Sequence, residues 1–508
     1  MPFPRFIFLL GACLLLGAGC APLAGPPPAA GTDPQTADLI LRANALAAKG
    51  LYQQAEEYYE AALEMDPVYP AAHYNRGINW SRQGDYARAL AEYDRAIEVD
   101  ASFPAALNNR GALWLQKNHT AEALTDLSRA LAIDPQNAAA LTNRGNVRLK
   151  RQQYDQALAD YNQAAELEPS NAAVFLNRGI VYYLKGRNAA GGTPSPQNQP
   201  WELAALDFGR ALELDPKLTS AWLNRAAVRC AAGDFRAALA DLDRALALEP
   251  RNLDALYNRG LAWAGLGRYD QAFADYNQAL KLAPNDARLH LARAYLWARN
   301  GQEEKALSEI DRALALNPRS AAAFQAQAIL RLKQKDYQGA ESDFGRALDL
   351  DQGLAGAFFN RATARFQQGK YGPAIKDLNR VLDLDPKNAA AHVNRGAAFM
   401  AQKEYDKALD DFNQALALDP ASAQAYLNRG VWHARKGEDE KAAQDFSRAL
   451  EKDPKNAQAL YFRGLAFQNL GMWDQAIKDL QAYVELNPSS AQGRKLLKDL
   501  KARRPGGS

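Results

Sequence analysis

Apolar and small residues recur along this chain in pairs of segments, each with helical spacing. In one pair, residues 392–399 and residues 408–416 place apolar side chains three and four positions apart, which gathers them on one face of a helix. Residues 403–406 separate the two segments, and Pro420 follows the second one. Because proline cannot continue a helix, the pattern predicts two amphipathic helices joined by a short turn, the second ending before Pro420.

This pair of segments returns every 34 residues along most of the chain, in thirteen copies. We number the positions of each copy from Ala389, which is position 1 of its copy. The residues that return most regularly occupy positions 8, 17, 20, 24, 27 and 32, here Gly396, Tyr405, Ala408, Phe412, Ala415 and Pro420. A fixed period of this length is typical of arrays in which each repeat completes its core against its neighbours.

The spacing of these six residues resembles the tetratricopeptide repeat. The resemblance implies an all-α fold, a right-handed superhelical solenoid of about thirteen helix-turn-helix repeats. Position 20 is alanine in every copy, from Ala55 to Ala476, and position 27 is alanine in eleven. Small residues there predict a close approach of the two helices of each repeat. Most copies also have glycine in the turn, as at Gly84, which suits a helix end that needs a positive φ.

We predict that the array covers residues 35–490, with one interruption. Residues 187–200 are rich in glycine, proline and polar residues and fall between the two helices of the fifth copy, so they form a predicted insertion loop. The loop is either a solvated connection or a contact for a partner. Residues 491–508 carry one apolar stripe among basic residues. This predicts a capping helix with a polar outer face, followed by a short tail.

Composition and charge argue against catalysis and against nucleic-acid binding. The 61 lysines and arginines nearly balance 58 acidic residues and form no basic stripe, so nucleic acid is not an expected partner. No motif for a nucleophile, a bound phosphate or zinc occurs. We therefore expect no enzyme activity, no cofactor, no metal and no small-molecule substrate. Three cysteines are too few for a disulfide framework, and Cys230 is expected to be a buried apolar residue.

The N-terminus has the pattern of an export signal. A basic residue and a short apolar run precede residues 17–20, Gly-Ala-Gly-Cys, which is typical of a cleaved signal peptide, here residues 1–19. The sequence before Cys20 resembles a bacterial lipoprotein box, although Gly17 stands where that family usually has leucine. The resemblance implies that Cys20 becomes the lipidated first residue. Cys13 fits the box better but leaves too short an apolar run, and an ordinary secretory signal is the alternative.

Residues 20–34 are rich in proline, alanine and glycine and predict an extended tether behind the lipidated cysteine. Ala21 follows Cys20, as in lipoproteins that are released to the outer membrane. The resemblance therefore implies an exported protein that is anchored to the bacterial envelope, at the periplasmic face of the outer membrane. The membrane would be contacted through the lipid alone.

Asparagine occupies position 6 in nine copies, although it costs roughly 0.5–0.7 kcal/mol relative to alanine inside a helix. The nine residues are Asn75, Asn109, Asn143, Asn177, Asn224, Asn258, Asn360, Asn394 and Asn428. In tetratricopeptide arrays this position faces the concave groove, and the row resembles the asparagine ladder of the O-linked N-acetylglucosamine transferase superhelix. The resemblance implies that these carboxamides bind the backbone of an extended peptide. The alternative is inherited repeat consensus, with the carboxamides bonded to water.

Two further positions carry charge with the same period. Arginine occupies position 7 in twelve copies and an acid occupies position 23 in twelve, so we expect each arginine to pair with a carboxylate, within a repeat or across a junction. A ligand-binding arginine row is the alternative. His73, His290 and His392 share position 4, where other copies have Leu, Phe, Trp or Tyr, and we expect packing to explain them.

The sequence as a whole predicts a non-catalytic protein–protein interaction scaffold of the bacterial cell envelope. Such a scaffold would bind extended peptide segments or partner helices of other proteins in its concave groove. The alternative is an accessory or substrate-presenting subunit of an envelope enzyme or transferase complex. Nearly all of the chain belongs to the array, so in that case another chain would supply the catalytic domain.

Overall fold

The computed structural model describes residues 33–189 and 199–503, and every regular element within them is an α-helix. The described chain divides into two compact units, an N-terminal unit that ends at Pro284 and a C-terminal unit that begins at Asn285. The predicted signal peptide, Cys20 and most of the predicted tether lie outside the described residues.

The described part of the N-terminal unit contains fourteen helices, which form repeats one to seven. They are α1 (Pro34–Ala48), α2 (Tyr52–Met65), α3 (Pro70–Arg82), α4 (Tyr86–Val99), α5 (Pro104–Gln116), α6 (Thr120–Ile133), α7 (Ala138–Lys150), α8 (Tyr154–Leu167), α9 (Ala172–Ala189), α10 (Gln199–Leu214), α11 (Thr219–Ala231), α12 (Phe235–Leu248), α13 (Leu253–Gly265) and α14 (Tyr269–Leu282).

The described part of the C-terminal unit contains thirteen helices, which form repeats eight to thirteen and one closing helix. They are α15 (Ala287–Arg299), α16 (Glu303–Leu316), α17 (Ala321–Lys333), α18 (Tyr337–Leu350), α19 (Ala355–Gln367), α20 (Tyr371–Leu384), α21 (Ala389–Ala401), α22 (Tyr405–Leu418), α23 (Ala423–Arg435), α24 (Asp439–Lys452), α25 (Ala457–Asn469), α26 (Trp473–Leu486) and α27 (Ala491–Arg503).

Within each unit, the two helices of a repeat pack on each other, and the second helix packs on the first helix of the next repeat. The chain is therefore an all-α solenoid of helical pairs, which confirms the predicted fold class. The closing helix α27 packs on α26 with Leu500 buried beside Leu480, as expected of a cap.

Position 20 and position 8 hold the two helices of a repeat close together. The alanine at position 20 is fully buried in all thirteen repeats, from Ala55 to Ala476. At position 8, a Cβ on Gly396 would lie 2.6 Å from the Phe412 ring, well inside van der Waals contact. The regular return of these small residues in the sequence thus reflects the packing distance between the helices.

The turn between the helices of a repeat requires a left-handed residue at position 15. Among the described residues, its φ is positive in twelve repeats, between 59° and 82°. Eight of them have glycine there, which adopts this conformation freely. The other four residues are Asn118, Gln152, Lys335 and Lys403. The backbone conformation of this turn is therefore kept even where the side chain disfavours it.

The fifth repeat differs from the prediction at its insertion. Helix α9 continues to Ala189 and α10 begins at Gln199, so both ends of the predicted loop 187–200 are helical. Residues 187–189 contain no helix breaker, and Pro200 lies in the first turn of α10, where proline is tolerated. Trp201 then occupies position 17: its Nε1 donates to the Tyr183 carbonyl at 3.1 Å, and its ring stacks on that of Tyr183. This anchor restores the register of the repeat.

Candidate functional site

The nine asparagines at position 6 lie in the first helix of their repeats, but the structure divides them into two groups. The N-terminal ladder is buried, and none of its members is more than 7% exposed. The C-terminal track is half-buried. The N-terminal ladder consists of Asn75, Asn109, Asn143, Asn177, Asn224 and Asn258, and the C-terminal track consists of Asn360, Asn394 and Asn428.

Part of the N-terminal ladder belongs to a hydrogen-bond chain that crosses three repeats. Asn143 Nδ2 donates to Asn108 Oδ1 at 2.9 Å, and Asn108 Nδ2 donates to Asn109 Oδ1 at 3.2 Å. Asn109 Nδ2 in turn donates to the Tyr74 hydroxyl at 3.2 Å. Burial raises the pKa of Tyr74 to about 12, so the hydroxyl stays neutral. These carboxamides connect repeats two, three and four to each other.

A second buried cluster connects repeats four and five. Asn146 Oδ1 accepts hydrogen bonds from the Tyr161 hydroxyl at 2.6 Å and from Asn177 Nδ2 at 2.8 Å. The sequence analysis missed Asn146 and Asn108 as partners of the ladder. The signal that could have found them is asparagine at positions 9 and 5, where most copies have apolar or small residues.

The environment of Asn224 differs from that of Asn109, Asn143 and Asn177. Its side chain is fully buried, and neither Oδ1 nor Nδ2 has a hydrogen-bond partner among the described residues. The preceding repeat places Leu176 and Ile180 at positions 5 and 9, where asparagines bond the ladder elsewhere. An unsatisfied buried polar group costs about 1–3 kcal/mol, so Asn224 weakens the fold locally.

The C-terminal track has carboxamides that the array does not use. Asn360 and Asn394 make no side-chain hydrogen bond within the described residues, and Asn428 Oδ1 accepts from Gln424 Nε2 at 3.0 Å. A free carboxamide can donate and accept at the same time. The carboxamides of Asn360 and Asn394, and the Nδ2 donor of Asn428, are therefore available to a ligand.

Short side chains surround the first two members of the track. Positions 2 and 9 lie one turn before and after position 6, on the same face of the first helix. They hold Gly356 and Thr363 in repeat ten, and Ala390 and Ala397 in repeat eleven, all of them half-buried or exposed. None of these four residues is charged. Along α19 and α21, the track is thus flanked by short, uncharged side chains.

The track is bounded by apolar residues at position 6 of the neighbouring repeats. Ala292 and Ala326 are buried in repeats eight and nine. In repeat thirteen the position holds Phe462, whose half-buried ring stacks on Phe446. The polar part of this face is therefore confined to α19, α21 and α23.

The expected arginine–carboxylate pairs are confirmed, and they form within repeats and also across junctions, where Arg110 Nη1 donates to Asp94 at 2.7 Å. Arg429 donates from Nε and Nη2 to Asp445 at 2.8 Å each, and from Nη1 to Asn413 of the preceding repeat at 2.9 Å. Arg178 makes the same three bonds, to Asp207 and Asn162. Burial raises the pKa of Asp207, even though Arg178 favours the charged carboxylate. These bonds occupy every nitrogen of the two guanidinium groups. This favours a structural role for the position-7 arginines over a role in ligand binding.

The histidines at position 4 do more than fill space, contrary to our expectation. His73, His290 and His392 each place Nδ1 within 2.8–2.9 Å of the position-23 carboxylate of their repeat. Burial alone would lower the pKa of His73, but hydrogen bonds to Glu92 and to the Pro67 carbonyl outweigh it and raise that pKa. Packing explains the position, whereas the neighbouring acid explains the choice of histidine.

Cys230 is buried as expected, and burial raises the pKa of its thiol to about 12. No group of three His, Cys, Asp or Glu side chains among residues 33–189 and 199–503 could hold a metal ion. No helix of this part of the chain is both long and apolar enough to cross a membrane. The predicted lipidation site Cys20 is outside the described residues.

Several solved structures are similar to this chain in fold. The Cut9–Hcn1 hetero-tetramer of the APC/C is 16% identical, with 92% of this chain and 96% of that chain covered and a TM-score of 0.47. Yeast Tom70 is 15% identical, with 86% and 96% covered and a TM-score of 0.36. YrrB, described as a TPR protein with an unusual peptide-binding site, is 25% identical, with 36% and 95% covered and a TM-score of 0.33. The comparison with curated proteins gives no match.

Models of the tetratricopeptide repeat match most of the array. One matches at 40–78, 81–138, 228–287, 265–321, 359–423, 404–457 and 435–491, and two others match at 127–159 and 145–186. The first model alone covers more than half of the chain. The chain therefore belongs to the tetratricopeptide repeat family, whose arrays serve as scaffolds for protein–protein interaction.

Proposed function

We propose that this protein is a non-catalytic scaffold of the bacterial cell envelope that binds extended segments of partner proteins along the C-terminal track. The observation that carries the proposal is the contrast between free and engaged carboxamides at one and the same position. Asn360 and Asn394 have no partner among the described residues, whereas Asn109, Asn143 and Asn177 bond inside the array.

The chemistry of the track suits a peptide backbone. Each carboxamide offers one acceptor and two donors, which match the N–H and C=O groups of an extended chain. The flanking Gly356, Thr363, Ala390 and Ala397 are short and neutral, so a main chain can approach without meeting a charge. Asparagine is also a poor residue inside a helix, and a bound backbone would offset that cost.

For the N-terminal ladder we infer a structural role. Its carboxamides are buried, and those of Asn109, Asn143 and Asn177 connect neighbouring repeats. A peptide could reach them only by displacing these bonds. The ladder would thus fix how successive repeats stack in this unit, while the track binds the partner.

The binding test compares two triple variants at the same position of the repeat. Replacing Asn360, Asn394 and Asn428 by alanine removes up to three neutral hydrogen bonds, at about 0.5–1.5 kcal/mol each. We expect Kd for a peptide selected from a random display library to rise between about tenfold and a thousandfold. The control replaces Asn75, Asn109 and Asn143, and should lower thermal stability with Kd unchanged below the transition. An unchanged Kd in the track variant would contradict the proposal.

The envelope location rests on the sequence before Cys20, which is similar to a lipoprotein box. Cys20→Ala should release the protein from the membrane fraction and abolish incorporation of a fatty-acid label. Stable anchoring needs more than one acyl chain, so the lipid on the cysteine should carry several. Cys13→Ala is the matched control and should change neither property. Retention of both properties in Cys20→Ala would refute the anchor.

A further inference from the structure

The row of carboxamides in the C-terminal unit ends in an aromatic ring. Position 6 holds asparagine in repeats ten, eleven and twelve, and Phe462 in repeat thirteen. The first helices of these repeats contact each other in sequence, α19 with α21, α21 with α23, and α23 with α25. Phe462 is half-buried, as the three asparagines are. A ligand that runs along the track therefore meets this ring at its end.

The ring of Phe462 lies against Phe446 and Tyr461, and Tyr461 is in turn held by residues of two further helices. Its face stacks on Phe446 of α24 at 5.9 Å between centroids, and Tyr461 lies edge-on at 5.5 Å. The Tyr461 ring contacts Tyr483 of α26 at 5.1 Å, and its hydroxyl accepts from Gln492 Nε2 of the capping helix at 3.0 Å. The partly exposed side of Phe462 is thus a pre-organised apolar surface.

We propose, on the basis of the proposed function, that the bound protein segment carries an apolar or aromatic side chain at the end that reaches Phe462. A phenyl ring has no donor or acceptor for amides, so recognition of the main chain stops at Asn428. What the ring offers is apolar area and an aromatic face, which favour an aliphatic or aromatic side chain over a polar one. The carboxamides bind any extended backbone, whereas Phe462 selects the residue at its end.

The geometry also sets the length of the segment. Neighbouring packed helices lie about 8–10 Å apart, so the three steps from Asn360 to Phe462 span roughly 25–30 Å. An extended chain rises about 3.3 Å per residue, so this distance corresponds to about eight or nine residues. The ligand is therefore a neutral, extended protein segment of about that length with an apolar residue at one end.

The experiment uses random peptides of about twelve residues on phage, a length that covers the track at about 3.3 Å per residue. Peptides selected on the full-length protein should share an apolar residue near one end. Replacing that residue by serine in the synthetic peptide should raise Kd at least tenfold in fluorescence anisotropy. In the protein, Phe462→Ala should raise Kd by about the same factor and abolish the difference between the two peptides, whereas Phe462→Leu should keep it.

The outcomes separate the two proposals. If the triple variant of the track weakens binding but the end residue of the peptide has no effect, the role of Phe462 is refuted and the proposed function stands. If no peptide is selected, or if the triple variant binds as tightly as the parent, both are refuted. The peptide substitution needs no protein variant, so the test holds even if Phe462→Ala fails to fold.

Discussion

The same residue at the same position has two environments in this chain. In the N-terminal unit, Asn143 and Asn177 are buried and bond to Asn108 and Asn146 of neighbouring first helices. In the C-terminal unit, Asn394 is half-buried and has no such partner in the described chain. A consensus position therefore does not fix a role: the carboxamides of Asn143 and Asn177 are used inside the array because the preceding repeat offers them an asparagine.

The pairing of the position-7 arginine with the position-23 carboxylate provides the reference for this comparison, since it has the same geometry in both units. Arg178→Gln and Arg429→Gln should each destabilise their own unit by about 3–5 kcal/mol, because each leaves a buried aspartate without its bidentate partner. Amide hydrogen exchange read helix by helix in the full-length chain measures both losses. A large loss in one unit and none in the other would mean that the units differ in more than their asparagines.

The asparagines themselves should respond differently in the two units. Asn143→Ala leaves Asn108 Oδ1 buried without its donor, which should cost the N-terminal unit about 2 kcal/mol. Asn394→Ala loses no internal bond and replaces a poor helix former, so its unit should gain about 0.5 kcal/mol. Thermal melting of the two variants checks the opposite signs. Equal losses would refute the distinction between ladder and track.

A substitution of Asn224 should have the opposite effect on stability to a substitution of the bonded ladder asparagines. Both of its polar atoms are buried without partners in the described chain, so Asn224→Ala should stabilise the N-terminal unit. We expect a gain of about 1–1.5 kcal/mol, since removal of the unsatisfied amide outweighs the lost packing. Asn143→Ala is the matched control with the opposite sign. A destabilised Asn224 variant would show that this carboxamide, too, supports the fold.

The last prediction concerns the turn, where the units should again behave alike. Gln152→Gly and Lys403→Gly relieve a left-handed conformation, with φ of 59° and 64°, and should each stabilise by about 1 kcal/mol. Alanine at these two positions serves as the control and should give no comparable gain. If chemical denaturation shows that glycine destabilises either site, the turn is not strained.

The period of the sequence predicted what each repeat does internally, because every position is seen thirteen times. The close packing of Ala408 and the pairing of arginines with carboxylates follow from residues that recur together, although the period left open that Arg429 pairs with Asp445 of its own repeat. The burial of position 6 could not be predicted in this way. It depends on contacts between successive repeats, and therefore on residues such as Asn108 and Asn146, whose positions carry asparagine in few copies.

The boundaries of the insertion and the role of the histidines also could not be predicted from the repeat pattern of the sequence. Helix α9 continues to Ala189 because no helix-breaking residue occurs in residues 187–189. Pro200 does not mark a loop, because it lies in the first turn of α10, where proline is tolerated. His392 bonds a carboxylate that lies 19 residues later in the sequence. Such a pair becomes visible only when the helices are placed side by side. The lipid on Cys20 stays a prediction.

Because Trp201 is anchored on Tyr183, the fifth repeat is suited to the insertion of a foreign sequence. The indole restores the register of α10 immediately after the inserted residues, and Ala204 is again fully buried. We therefore expect the helices on either side to keep their packing when the sequence between them is changed. A reporter domain or an affinity tag placed within residues 190–198 should therefore leave the array intact. The same insertion at any of the other twelve turns would disturb a short connection whose conformation depends on a left-handed residue at position 15.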